Sequence, residues 1–406
     1  MKKKMRRLMN VFARIVFGGL ILMPISFLWP KKKTIIFITR FGKSFEGNLK
    51  YLFLWLVKQN FEEYDTFFLT EDRELEASLK AANLPVLFHP TFASVLECCR
   101  AGAIIVDGNE WVRGYKYQML HAARKFQVWH GSGMKTVGLM KPRVKNQTLP
   151  VKAVTYLLGL HPVYDIVSFG SATQQKTRGH AFRFKSSIIN GQPRNDILFS
   201  HEKQVPTIGV DVTTLSTVLE HAKAGNRVVL YAPTHRLPSD LFLQERSALN
   251  PHDWNQFAAE HNLLFVFKYH PKTLPEHEWE IGECENIIEY DKFSDVYPLL
   301  GQVDALITDY SSIFTDYILL NRPVVFFPFD YDRYVNEERA LQFDYHTVTP
   351  GRKCMTQNEV FDELRKIVTQ GMDDYAVIRD EMIRHFYDKA DGSSCARMWK
   401  AISATW

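Results

Sequence analysis

The sequence predicts an α/β protein with two doubly wound domains of similar size, preceded by a short amphipathic helix. Apolar runs of the β type alternate with helical patterns in two separate series, which is typical of parallel sheets covered by helices. A polar stretch near residues 200–212, with Pro206 and Gly209, separates the two series. A basic segment at residues 1–33 precedes both of them, so the predicted domains span residues 34–205 and 206–406.

The N-terminal segment carries nine basic residues and no acidic one. Its basic and polar stripe at helical spacing consists of Lys3, Arg7, Asn10, Arg14 and Gly18. Apolar residues fill the other faces, so we expect an amphipathic helix in a membrane interface, with its cations on anionic head groups. A single span and a helix packed on the protein's own core are the alternatives. The uncharged run of sixteen residues is short for a span, contains Pro24 and is basic on both sides.

The first series contains five short apolar runs that predict strands. They are Thr34–Thr39, Asp65–Leu69, Val86–Phe88, Ala103–Val106 and Phe126–Trp129. Three stretches of helical periodicity lie between them. These are Gly47–Gln59, Glu74–Ala82 and Ala93–Ala101.

The second series repeats the alternation after the polar stretch. Its predicted strands are Arg227–Tyr231, Leu263–Lys268, Asn286–Glu289, Ala305–Thr308 and Val324–Phe327. Its predicted helices are Trp254–Glu260, Asp295–Leu300, Asn358–Val368 and Asp374–Tyr387.

Composition excludes several classes of protein. Apolar residues make up 46% of the 406 residues and charged residues 23%, which is globular and neither disordered nor collagen-like. The net charge of +5 divides unevenly, because residues 34–406 hold 41 basic and 45 acidic side chains. A body with a net charge of −4 is not expected to bind nucleic acid. Five cysteines without a CxxC pair indicate free thiols in a reducing compartment.

Polar side chains that suit an anionic substrate follow several predicted strands. Ligands of doubly wound proteins bind at the carboxyl ends of the strands, so these positions are candidates for a site that two such domains would enclose. The clusters are Trp129–Lys135, Tyr231–Arg236, Lys268–Pro271 and Thr308–Ser312 with Asp316. Each also has a plain structural interpretation as a turn, a helix cap or a solvated loop. Signatures of P-loop, nicotinamide, zincin and serine-hydrolase sites are absent.

Together the clusters predict a site for a diphosphate ester with one histidine as general base. His130 precedes a glycine-rich turn that a substrate can approach, and histidine has the pKa range of a base. The side chains that suit phosphate oxygens are Thr234, Arg236, Lys268, His270, Ser311 and Ser312. Asp316 could accept from a ribose or glycerol hydroxyl. The carboxylates do not cluster, so we expect no metal cofactor.

Seven sequence blocks share one further pattern. They are Gly42 with Gly47–Leu52, Trp129–Gly131 with Lys135 and Gly138, Gly191–Asp196, Tyr231–Thr234 with Arg236, His270–Pro271, the run from Thr308 to Tyr334 with Asp316 and Arg322, and Asp391–Gly392 with Arg397. This pattern resembles the CDP-glycerol glycerophosphotransferase family, the teichoic acid glycerol-phosphate primases and polymerases of the GT-B type.

The resemblance implies two Rossmann-like domains and transfer of glycerol phosphate from CDP-glycerol to a hydroxyl of a lipid-linked or polymer acceptor, with release of CMP. It implies His130 as the base that deprotonates the acceptor, with His270 as a second catalytic residue. The residues implied at the donor are Lys135, Arg194, Thr234, Arg236, Lys268, Ser311, Ser312 and Asp316. A peripheral location on the cytoplasmic face of the membrane follows from the resemblance and the basic helix.

Four residues, at three places in the chain, differ from the usual family pattern. Ser132-Gly133 replaces Thr-Pro, His235 replaces Trp, and Thr315 replaces Phe. CDP-ribitol or another CDP-polyol therefore stays open as the donor, and the length resembles primases more than polymerases. A GT-B glycosyltransferase that uses a sugar nucleotide, as in capsule synthesis, and an inactive membrane scaffold are the other hypotheses.

Overall fold

The computed structural model describes residues 12–406 except 13, 41, 43, 113, 132, 134–135, 201–206, 236–249, 274–280, 283 and 339–340. The chain divides into two units. Unit 1 is formed by the described residues of Met1–His130, Val137–Asp196 and Asp388–Trp406, and unit 2 by those of Gly131–Thr136 and Ile197–Tyr387. The predicted boundary between residues 205 and 206 lies outside the described residues.

Unit 1 contains a seven-stranded parallel sheet with the strand order β3-β2-β1-β4-β5-β6-β7. Its strands are β1 (Lys32–Ile38), β2 (Asp65–Thr70), β3 (Val86–Phe88), β4 (Ala101–Val106), β5 (Arg124–Gln127), β6 (Val163–Phe169) and β7 (Arg183–Ile189). The order reverses between β1 and β4, which is the switch point of a doubly wound fold. Because β1 and β4 are central, their side chains are almost all buried.

Unit 2 contains a five-stranded parallel sheet with the strand order β10-β9-β8-β11-β12. Its strands are β8 (Arg227–Tyr231), β9 (Leu263–Phe267), β10 (Ile287–Glu289), β11 (Ala305–Thr308) and β12 (Val324–Phe326). The switch point lies between β8 and β11. The two sheets confirm the predicted α/β class with parallel strands, and all ten predicted strands are present.

Helices connect the strands, and seven of those named below begin at a residue whose side chain caps the first turn. In unit 1 they are Met23–Leu28, Gly47–Gln59, Arg73–Ala81, Phe92–Arg100, Lys116–Met119, Pro142–Lys145, Leu149–Leu157, Ala172–Arg178 and Ser394–Ser403. In unit 2 they are Val212–Lys223, Pro251–His261, Tyr297–Leu300, Ile313–Tyr317, Tyr331–Arg333, Tyr345–Val348, Gln357–Gln370 and Ala376–Phe386. Thr91 and Thr356 form capping boxes with Ser94 and Glu359, which satisfy the free N–H groups of the first turns.

The described part of the N-terminal segment packs one side on unit 1 and leaves apolar side chains on the other. Arg14–Leu22 is wound as a π-helix that continues into the helix Met23–Leu28. Leu22 belongs to the core of unit 1, and the Ser26 hydroxyl accepts from the Ala122 N–H at 3.2 Å. Leu20 and Leu28 are 71% and 85% exposed. No helix among the described residues is long and apolar enough to cross a membrane.

The end of the chain returns to unit 1 through polar contacts at β7. Asp196 accepts from the N–H groups of Ser394 and Cys395 at 2.9 and 2.8 Å, which begins the helix Ser394–Ser403. Arg397 pairs with Asp391 at 2.7 Å and donates twice to the Asn190 carbonyl. Two blocks of the family-like pattern, Gly191–Asp196 and Asp391 with Arg397, therefore hold this return in place.

Candidate active site

His130 lies in unit 1, on the loop that leaves β5. Its Nδ1 is 2.8 Å from the main-chain carbonyl of Asp107, which follows β4. Because a carbonyl oxygen can only accept, Nδ1 carries the proton and Nε2 keeps its lone pair. The neutral ring is therefore held in the tautomer that a general base needs at Nε2.

The surroundings of His130 favour its neutral form. Burial lowers the pKa of His130 to about 3, and the positive charges of Arg40, Arg194 and Arg178 act in the same direction. Arg194 also donates from Nη1 to the His130 carbonyl at 2.9 Å. Two of the predicted site residues, His130 and Arg194, are thus in contact, and Arg194 holds the main chain of His130.

The backbone before His130 has an unusual conformation. Trp129 has a φ of +54°, a left-handed value that non-glycine residues rarely adopt. Its N–H donates to Gln127 Oε1 at 2.9 Å, and Gln127 Nε2 donates to the Gly108 carbonyl at 3.1 Å. The loop that carries His130 is therefore fixed to the ends of both β4 and β5.

In unit 2, the ends of β8 and β11 are joined by the buried carboxylate of Asp309. It accepts from the Thr234 N–H at 2.9 Å and from the Ser311 N–H at 3.2 Å, and also from the N–H of Tyr310. The Thr308 hydroxyl donates to the Ala232 carbonyl at 2.6 Å across the same switch point. Asp309 thus brings the loops of Thr234 and Ser311 together at the ends of two neighbouring strands.

The two serines of this loop are only partly buried. Ser312 precedes the helix Ile313–Tyr317, yet its hydroxyl makes no capping bond within the part of the chain that the structure describes. The plain interpretation of this serine as a helix cap therefore finds no support among the residues described.

His270 follows β9 in unit 2 and has the opposite tautomer to His130. The main-chain N–H of Lys272 donates to His270 Nδ1 at 3.1 Å, so the neutral ring carries its proton on Nε2. The rings of His235 and His270 lie nearly parallel with centres 5.5 Å apart. His270 Nε2–H can therefore donate a hydrogen bond to an anion.

Two other predicted donor residues have protein partners in unit 2. The ammonium of Lys268 lies 5.8 Å from the centre of the Tyr290 ring. Asp316 is fully buried, and its carboxylate accepts from the Tyr297 hydroxyl at 2.6 Å and from the Tyr387 hydroxyl. Both residues lie at structural contacts here, and their roles toward a donor stay predictions.

Lys135 and Arg236 lie outside the described residues, so their predicted donor contacts stay predictions as well. Among the residues that the structure does describe, no group of three or more His, Cys, Asp or Glu side chains is arranged to hold a metal ion. All five cysteines are free thiols.

The comparison with known proteins assigns the chain to a family. A model described as CDP-Glycerol:Poly(glycerophosphate) glycerophosphotransferase matches residues 21–404. The chain belongs to this family. It is 24% identical over 373 residues to the teichoic acid poly(ribitol-phosphate) polymerase of Bacillus spizizenii, covering 91% of this chain but only 56% of that protein. It is 24% identical to the teichoic acid glycerol-phosphate transferase of Staphylococcus aureus, covering 92% of this chain and 93% of that protein.

The fold agrees with this glycerophosphotransferase family. The wall teichoic acid polymerase TagF has a TM-score of 0.73 to this chain at 20% identity, over 100% of this chain and 97% of the solved one. The family assignment confirms the resemblance seen in the sequence. It favours neither the sugar-nucleotide glycosyltransferase nor the inactive scaffold.

Several residues at the candidate site were not identified as functional from the sequence. Asp107 and Asn48 contact the His130 loop, and Asp309 joins the loops of Thr234 and Ser311. Asp309 belongs to the cluster Thr308–Ser312 at a predicted strand end, so its position in the sequence could have indicated a functional role. Asn48 offered a weaker one, as a polar side chain in the first turn of an apolar helix.

Proposed function

We propose that the chain transfers glycerol phosphate from CDP-glycerol to a hydroxyl of a lipid-linked or polymer acceptor in teichoic-acid-type polymer synthesis. Membership of the glycerophosphotransferase family carries the reaction class. The observation that carries the mechanism is His130, whose Nε2 lone pair is fixed by the bond from Nδ1 to the Asp107 carbonyl. The chain spans only 56% of the length of the poly(ribitol-phosphate) polymerase that it matches.

The proposed step balances as a phosphoryl substitution. The acceptor oxygen bonds to the phosphorus that bears glycerol, and its proton passes to His130 Nε2. The bond from that phosphorus to the bridging oxygen breaks, and CMP leaves with the bridging oxygen and its electron pair. His270 donates from Nε2 to the departing phosphate, where negative charge increases in the transition state.

The donor is proposed to bind unit 2. Thr234, Ser311 and Ser312 offer hydroxyl groups at the switch point of its sheet, where ligands of doubly wound folds bind. We also propose contacts from Lys135, Arg194, Arg236, Lys268 and Asp316, in line with the sequence pattern. These side chains would hold the diphosphate without a metal cofactor, so activity is expected to persist in a chelator.

A CMP-release assay tests the proposal. The full chain is incubated with a lipid-linked acceptor and with CDP-glycerol, CDP-ribitol or a UDP-sugar, and we expect CMP from CDP-glycerol. The ribitol arm is included because one relative is a ribitol-phosphate polymerase. His130→Gln should lower turnover about 10²–10⁴-fold, the usual contribution of a general base. His180→Gln, at an exposed position of unit 1, is the matched control.

The result that contradicts the proposal is equally defined. Absence of CMP release from every CDP-polyol, or equal turnover in wild type and His130→Gln, would exclude the proposed mechanism. CMP release from CDP-ribitol alone would reassign the donor and keep the role of His130.

We further propose that the N-terminal segment attaches the chain to the cytoplasmic face of a membrane. Phe17, Leu20, Phe27 and Leu28 are between 43% and 85% exposed on this segment. Nine basic residues surround them in the sequence, which favours an anionic lipid surface. A lipid-linked acceptor would be available at that surface.

A further inference from the structure

A single buried side chain, Asn48, links three segments of unit 1. It stands in the first turn of the helix Gly47–Gln59 and is fully buried. Its Nδ2 donates to the Trp129 carbonyl at 2.8 Å, to the Val128 carbonyl at 3.3 Å and to Gln192 Oε1. Its Oδ1 accepts from the Arg194 N–H at 3.2 Å.

The partners fix the orientation of the amide group. Main-chain carbonyls can only accept and the Arg194 N–H can only donate, so the amide nitrogen must face the Trp129 carbonyl. An aliphatic side chain of the same size would leave these main-chain groups buried without partners. The contacts are therefore specific to an amide.

Two of the groups that Asn48 holds are directly linked to His130. The Trp129 carbonyl belongs to the peptide bond that precedes His130. Asn48 also binds the main-chain N–H of Arg194, and the Arg194 side chain donates in turn to the His130 carbonyl at 2.9 Å. Asn48 thus acts on both sides of the base without touching its imidazole.

The conformation at Trp129 explains why such a clamp is needed. A tryptophan with a φ of +54° is strained, and a strained residue persists only where its surroundings over-determine it. Gln127 holds the Trp129 N–H and Asn48 holds the Trp129 carbonyl. If the carbonyl is released, the peptide can rotate and carry the His130 ring away from the Asp107 carbonyl.

We infer that Asn48 is a positioning residue, which fixes the Trp129–His130 peptide and so keeps Nδ1–H of His130 on Asp107 and Nε2 free for the acceptor proton. This inference rests on the proposed function for its catalytic consequence. Its structural consequence, the tautomer and orientation of His130, is independent of the reaction.

Kinetics of Asn48→Leu test the inference. We expect kcat to fall about 100-fold, the effect of a misplacement of about 1 Å at a reacting group. The KM for CDP-glycerol should rise by a smaller factor than kcat falls, because Asn48 contacts the proposed donor residue Arg194 through its main-chain N–H, whereas the proposed donor loops belong to unit 2. The matched control is Asn190→Leu, which removes another buried amide of unit 1 that donates to the Ser394 carbonyl. It should lose comparable stability and keep its kcat per folded molecule.

An NMR measurement separates failure of this inference from failure of the proposed function. In ¹⁵N-histidine-labelled protein, with the signal assigned through His130→Gln, wild type and Asn190→Leu should show the Nδ1–H tautomer. Asn48→Leu should show a mixture of tautomers. A pure Nδ1–H signal in folded Asn48→Leu, or equal losses of kcat in the two leucine variants, would overturn the inference even if the reaction proved different.

Discussion

The carboxyl group of Asp107 is buried at the end of β4, next to the main-chain carbonyl that orients His130. Burial raises the pKa of Asp107 to about 7, although the positive charge of Arg40 acts in the opposite direction. Its Oδ1 has no hydrogen-bond partner among the residues described. At the scale of a single residue, this group therefore makes the stability of the protein depend on pH.

The sign follows from proton linkage. Asp107 holds its proton more tightly in the folded chain than in the unfolded chain, where its pKa is near 4. Stability is thus lost as pH rises from about 4 to about 7. Asp107→Asn removes this loss, so its unfolding free energy should rise relative to wild type by roughly 1.4 kcal/mol per pH unit over that window. Urea unfolding at pH 5, 6, 7 and 8 measures the difference, and a constant difference would contradict the prediction.

The sequence predicted which residues follow which strands, but not where their side chains point. It placed Thr234 and Ser311 correctly after the strands β8 and β11, whereas the structure shows that these two strands are neighbours. It could not place Lys268 beside Tyr290 or Asp316 between two tyrosines. Those contacts depend on rotamers and on residues up to 71 positions apart.

At the scale of elements, the loops after β8 and β11 depend on one carboxylate. Asp309→Asn would remove the negative charge that accepts from three main-chain N–H groups, and its N–H₂ group would replace the second oxygen, which accepts from the Thr234 N–H at 3.0 Å. Hydrogen bonds to a charged group are worth about 1.5–3 kcal/mol, so the loops should separate. We expect the KM for the donor to rise about tenfold or more, since each 1.4 kcal/mol is tenfold in affinity. Steady-state CMP release at varied CDP-glycerol measures this effect.

The same two strands supply a matched control at their other end. Asp304 accepts from the Val228 N–H at 2.8 Å and from Arg227 at 2.9 Å, at the start of β8. Asp304→Asn should lower stability while leaving the donor KM within about twofold. Equal changes of KM in the two variants would show that Asp309 acts through general stability alone.

Helices and strands were predictable from the sequence where the apolar residues followed a clear helical or strand pattern. The helix Gly47–Gln59 and the strands β3, β8 and β11 have the predicted bounds. The sequence analysis missed β6 and β7. Asp165 interrupts the apolar run of β6, and β7 has the largely polar sequence RFKSSII with two exposed residues. The helix Ser394–Ser403 was missed as well, since its start depends on Asp196 in a distant segment.

At the scale of the whole molecule, charge and exposed apolar surface are concentrated in one terminal segment. Residues 1–33 carry nine positive charges, whereas residues 34–406 have a net charge of −4. The described part of that segment adds exposed side chains such as Phe27 and Leu28, at 60% and 85%. An anionic membrane attracts such a segment through its positive charge and through burial of its apolar side chains. Each Lys or Arg near the surface contributes about 1 kcal/mol.

Vesicle flotation of the full chain tests this prediction. We expect flotation with vesicles that contain phosphatidylglycerol, little with neutral phosphatidylcholine, and release at high salt because screening weakens the attraction. Changing Phe27 and Leu28 to Ser, or Lys2, Lys3 and Lys4 to Gln, should each weaken binding about tenfold or more. Phe293→Ser with Val377→Ser, at exposed apolar positions of unit 2, is the control and should float as wild type. Undiminished flotation of the Phe27 and Leu28 variant would assign membrane binding to another surface. Unchanged CMP release by the same variant with a soluble acceptor would show that membrane attachment is separate from the chemistry.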